Sequence, residues 1–191
     1  MSETMAPPRP RMLISATGLV VAGGIMFFAG MIAIFANLRH DAGGTTAAWL
    51  PDGATISNAP LTFSTLVTLV LSLITVQWAV SANRAGDRNN AVAALGLTVM
   101  LGLAHINMII FSVKEIGIGM AESEWATLAY TMTAASLVTT VFGIGYLLAA
   151  TVKLFAGQVG RRNPTVSAGA FFWYFQVFAW FAVFTTVYLI K

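Results

Sequence analysis

The chain has 191 residues, 58% of them apolar and only 9% charged, and its mean hydropathy is +0.80. Ten basic and seven acidic side chains cannot coat a globular surface of this size, on which roughly 25% of residues would be charged. Disordered, collagen-like and coiled-coil classes fail on the same composition, and without cysteine there is no disulfide framework, thiolate nucleophile or thiolate metal site.

In chain order, residues 1–11 (MSETMAPPRPR) predict a short disordered cytoplasmic tail, with no Arg-rich amphipathic pattern of a transit peptide. Residues 12–191 predict a single membrane domain of five transmembrane helices, at about 12–38, 60–83, 90–113, 125–153 and 166–190. Each of these runs is free of Asp, Glu, Lys and Arg, or nearly so, and each is long enough for the ~20 residues that cross hydrocarbon. The first is too long for the core of a secretory signal. An all-α fold is expected because lipid forces backbone groups to pair within their own segment, and none of the runs alternates as a barrel strand would. The loop from Arg39 to Ala59 carries Gly43, Gly44, Pro51 and Gly53 and reads as irregular, with Asp52–Gly53 a turn.

Sorting the charges gives an orientation. Arg9, Arg11, Arg84, Arg88, Lys153, Arg161 and Arg162 fall on the N-terminal side, against Glu3 and Asp87, a net of +5. Arg39, Lys114 and Lys191 fall on the other side with Asp41, Asp52, Glu115, Glu122 and Glu124, a net of −2. Cations stay on the untranslocated face, so the N-terminus is expected inside and the C-terminus outside. The basic pI of about 9.6 is then a topology signal, and no nucleic-acid partner is expected.

Ionisable groups within spans are the first place to look for function. Helices one, two, four and five have none centrally, which argues against ion pumps, voltage sensors and catalysis by paired carboxylates or a His-centred triad. His105 is the exception, with Asn107 nearby; together they form a candidate buried polar site. His105 could ligate haem or a metal, but such sites need further strong ligands and His40 lies in the external loop. The plainer reading is a buried histidine bonded to a neighbouring helix. Gly23, Gly24, Gly30, Gly143 and Gly145, with the pairs Ala29/Ala33 and Gly145/Ala149, are expected to let helices approach closely. Seven aromatics between Phe171 and Trp180 suggest a surface packed on a partner or ordered lipid.

The segment Trp173-Tyr174-Phe175-Gln176-Val177-Phe178-Ala179-Trp180, followed by Tyr188, resembles the last helix of subunit III of haem–copper terminal oxidases, which reads W-H-F-x-D-x-x-W with a later tyrosine. Tyr174 and Val177 stand where that family has histidine and aspartate. Phe27-Phe28-Ala29-Gly30 is similar to its F-F-x-G, with Gly24 at the place of a membrane glutamate. Gly86-Asp87-Arg88 resembles its internal turn, and Glu115 falls where its third shared helix ends in glutamate. Thr133 to Gly143 occupies the place of T-G-x-H-G-x-H-V-x-x-G, with Ser136 and Thr139 at the two histidines. The resemblance spans about residues 12–190 and fits the divergent five-helix bacterial form. It implies an accessory subunit without catalytic, metal-binding or cofactor-binding residues of its own, part of an oxidoreductase complex of the aerobic electron transport chain. Haem and copper would sit in partner subunits I and II, structural phospholipid would bind in a cleft, and the location would be the bacterial inner membrane. Arg88, Glu115, Trp173, Phe175, Trp180 and Tyr188 are carried over as structural positions. The rival readings are a small transporter or channel, a membrane-embedded enzyme using His105 and Glu115, or an accessory subunit of another respiratory complex.

Overall fold

The computed structural model describes residues 10–54, 59–157 and 164–190. It is all-α, with five helices long and apolar enough to cross a membrane. They are α1 (Pro10–Asp41), α3 (Ala59–Ala85), α4 (Arg88–Lys114), α5 (Glu124–Phe155) and α6 (Pro164–Phe184); α2 (Thr46–Trp49) is a single turn in the first loop. The last span continues as a π-helical segment, Thr185–Ile190, where a regular α-helix was expected. Because α1 begins at Pro10, residues 10 and 11 belong to it and not to the tail; proline suits a first helical position, where its missing N–H costs nothing. The rest of the expected tail lies outside the described residues.

The helices overrun the expected spans by one to three residues, because caps rather than the charge boundary decide where they end. Asp87 accepts the N–H of Asn90 at 3.1 Å and starts α4; Ser123 accepts that of Ala126 at 3.0 Å and starts α5. Between α3 and α4, Gly86 adopts φ of 80°, the left-handed conformation that a side chain resists. Its N–H bonds to Asn83 O at 3.2 Å and that of Asp87 to Ala82 O at 2.9 Å, which closes α3 with a Schellman motif. Arg88, the next residue, donates to the carbonyl of Phe155 and so ties the same turn to the end of α5. Gly86-Asp87-Arg88 therefore stops one helix, starts the next and anchors a third.

In the arrangement, α6 is central and packs against α1, α3 and α5, while α4 packs between α3 and α5. Burial is uneven among the spans: 67% of the central stretch of α6 is buried, against 17% for α1. At the loop end of α1, Trp49 of α2 folds edge-on to Phe35 with ring centroids 5.4 Å apart.

Candidate functional site: a buried aromatic helix and the grooves beside it

The aromatic run of α6 is mostly the chain's own core, which corrects the expectation of a partner-facing surface. Phe172, Trp173, Phe175 and Trp180 are buried; Phe171, Phe178 and Phe181 face outward. Trp173 is fully buried and donates through Nε1 to Ser72 Oγ of α3 at 2.9 Å. Its ring lies between two glycines. A Cβ on Gly102 of α4 would stand 2.7 Å from its tip, and one on Gly143 of α5 would stand 3.0 Å from its face. Phe175 covers Gly24 of α1, where any Cβ would overlap its ring. The close approaches are thus made at Gly24, Gly102 and Gly143. Gly23, Gly30 and Gly145 meet nothing, and Ala29, Ala33 and Ala149 are exposed. Gly102 was not among the glycines expected to make a close approach, although Thr98 and Ala94 mark the small-residue spacing before it.

Gln176, also fully buried, is the polar centre that the sequence did not single out. Its Nε2 donates to Thr140 Oγ1 at 2.5 Å and to Ser136 O and Oγ at 3.2 and 3.3 Å, and Thr139 donates to its Oε1. Ser136 and Thr139, the residues at the two histidine positions of the resemblance, are brought together by this one side chain. The readable signal was a lone carboxamide inside an aromatic stretch, which hydrocarbon cannot satisfy. Gln77 on α3 similarly accepts from Tyr174.

His105 and Asn107 do not form a common site. His105 is fully buried; its Nδ1 lies 3.2 Å from Thr65 O, and its ring meets Trp180 edge-on at 5.0 Å. Asn107, two residues on, points out of the bundle. Near His105, two buried nitrogens have no hydrogen-bond partner among the described residues, His105 Nε2 and Trp180 Nε1, while the Tyr188 hydroxyl faces that of Thr133. Tyr188, on the π-helical segment, stacks on Phe184 at 5.7 Å and lies 6.4 Å from Trp180. Arg88 and Glu115 sit at opposite ends of α4, both exposed, Glu115 as its C-cap. His40 is exposed at the end of α1, and among the described residues no group of three His, Asp or Glu could hold a metal ion.

Two grooves flank α1. One, of about 470 Å³, lies against α6 between Ile25, Phe28, Phe171, Tyr174 and Phe178. The other, of about 640 Å³, lies against α5 between Val20, Thr139, Phe142, Tyr146 and Phe172. Phe175 lines both. Their walls are apolar, and Thr17 bonded to Tyr146 at 3.1 Å is the main polar feature. Such grooves can hold extended hydrocarbon and offer nothing to activate a bond.

Comparison with known proteins gives the same answer over the whole chain. The family model for "Cytochrome c oxidase subunit III" matches residues 12–191. The chain is 28% identical over 169 residues to a cytochrome bo(3) ubiquinol oxidase subunit 3 of Pseudomonas aeruginosa, covering 86% of this chain and 78% of that one. It is 25% identical over 194 residues to a probable cytochrome c oxidase subunit 3 of Nocardia farcinica, covering 96% and 90%. A cytochrome c oxidase subunit 3 of Corynebacterium diphtheriae shows 25% identity over 198 residues at the same coverage.

Proposed function

The chain belongs to the cytochrome c oxidase subunit III family, and on that premise we propose that it is a non-catalytic membrane subunit of a haem–copper respiratory oxidase. The observation that carries the reading is the family match across residues 12–191, which takes in all five spans. Its work is to stabilise the catalytic subunit I and to hold lipid. The interior supports this: buried polar groups bond within the bundle, Trp173 to Ser72 and Gln176 to Thr140, and among the described residues no metal-ligand set forms. The two grooves beside α1 fit acyl chains, which would seat the most exposed helix against the rest of the bundle. Haem and copper belong to partner subunits in this reading, since the two histidines here are far apart in role, one buried against Trp180 and one exposed. The charge count supports an N-terminus on the cytoplasmic side, and the bacterial relatives support a bacterial inner membrane.

Purification of the tagged chain from its own membranes in mild detergent tests the proposal. The expected result is co-elution with a haem-containing polypeptide and a haem absorbance in the pooled fraction. Recovery of the chain alone, without haem, refutes it.

A further inference from the structure

Asn107 lies on a face of α4 that no other described residue covers. Along α4, Met100, Leu103, Asn107, Ile110 and Lys114 all point outward, spaced alternately three and four residues apart; Met100 is 68% exposed and Leu103 54%. That is the spacing of a helix–helix seam of the left-handed kind. The midpoint of the Arg88–Lys114 span is Leu101, and Asn107 is six residues beyond it. At 1.5 Å per residue this is about 9 Å from the middle of a hydrocarbon layer of about 15 Å half-thickness. The side chain is too short to reach water from there. Its carboxamide, two donors and an acceptor, bonds to no described residue, whereas Gln77 and Gln176, also within spans, each bond to a side chain of a neighbouring helix. Lipid tails cannot satisfy it, and transmembrane helices use such groups to recognise one another.

We propose that this face of α4 docks a transmembrane helix of another subunit. That helix presents a hydroxyl, carboxamide or backbone carbonyl to Asn107 in the outer half of the membrane. The apolar seam residues supply packing on either side of that bond, and Lys114 reaches the interface beyond it. The inference rests on the reading of the chain as a subunit of a larger complex.

The test is photocrosslinking in native membranes, with p-benzoylphenylalanine at Leu103 or at Ile110 in the otherwise complete complex. The expected result is one covalent product with a different polypeptide from both positions. Its yield should fall about threefold with Asn107→Leu, the equivalent of roughly 0.6 kcal/mol for one interhelical hydrogen bond, and be kept with Asn107→Gln. Leucine at an outward position leaves the core intact, and unchanged elution of the variant in detergent checks that. A product of twice the chain's mass, photoproducts with lipid only, or an Asn107→Leu yield equal to wild type each overturns the proposal. Haem recovered with the wild-type chain reads the oxidase assignment separately. Haem present with lipid-only products fails this face alone, and a haem-free preparation fails the oxidase reading however the crosslinks fall.

Discussion

Gly102→Ala inserts a single methyl group at the tightest point of the bundle. The added Cβ would stand 2.7 Å from Trp173 Cη2 and 3.1 Å from two carbons of Ile144. Carbon contacts are most favourable at about 3.5–4.0 Å, so the indole must retreat by roughly 1 Å. It has nowhere to go. Its benzo edge also packs against the backbone at Gly143, and moving the ring stretches or breaks the 2.9 Å bond from Nε1 to Ser72. Overpacking of this kind costs about 1–3 kcal/mol, against up to about 1 kcal/mol that alanine returns over glycine as a helix former. A net loss of about 1–2 kcal/mol is expected. Gly96→Ala on the same helix is the control, because nothing lies within 4 Å of its Cβ, and it should be neutral or slightly stabilising in the isolated chain. Gly24→Ala falls between them: its Cβ overlaps the tip of Phe175, but that ring borders a groove on either side and can tilt into one. Denaturation of the detergent-solubilised variants in mixed micelles, followed by tryptophan fluorescence, ranks the three. If Gly102→Ala is as stable as Gly96→Ala, Trp173 is not clamped and the account of the core is wrong.

Three further outcomes follow from single contacts. Gln176→Leu should cost only about 1 kcal/mol, since one interhelical bond in a membrane averages about 0.6 kcal/mol and Thr139 and Thr140 keep their bonds to Ser136 O; a loss above about 3 kcal/mol in the same denaturation assay would mean the cluster holds a charge or ligand. The Asp87 carboxyl is held below its ordinary value of 3.8 by the N–H and then the side-chain amide of Asn90. A depressed carboxylate stabilises the turn at pH above 3.8, and the effect is lost as pH falls through the folded value. Hydrogen-exchange protection of residues 88–91 should therefore decline only in acid, and Asp87→Asn should remove that dependence. His105→Gln should leave the haem content of the co-purified complex unchanged, because His105 faces Thr65 and Trp180 with no second ligand; loss of haem would reinstate it as a ligand.

The five spans were legible because charge is excluded from hydrocarbon, so gaps between charged residues mark crossings. Their ends were less so: Pro10, Asp87 and Ser123 set helix starts by backbone chemistry that a charge map does not weigh. The π-helical turn at Thr185–Ile190 has no periodic signature in so short a segment. Which helix lies at the centre could not be read from apolarity. In water the most apolar element is the one to bury, but lipid is as apolar as the side chains themselves. α1 is the most exposed span, and α6 is central because its rings and its one carboxamide need protein partners.

The same reasoning bears on the positions at which the sequence resembles the family's motifs without matching them. Glycine at position 24 leaves room for Phe175, and a glutamate there would have to displace that ring and bring a carboxyl into an apolar seam. Ser136 and Thr139, in place of two histidines, are short enough for Gln176 to reach both, and Val177 beside it has no polar partner to satisfy. These replacements are coupled. Restoring one histidine alone would crowd a carboxamide that already has its full set of bonds, while restoring the glutamate alone would leave it without a partner. At these positions the contacts form a neutral network of hydrogen bonds that can hold helices in register.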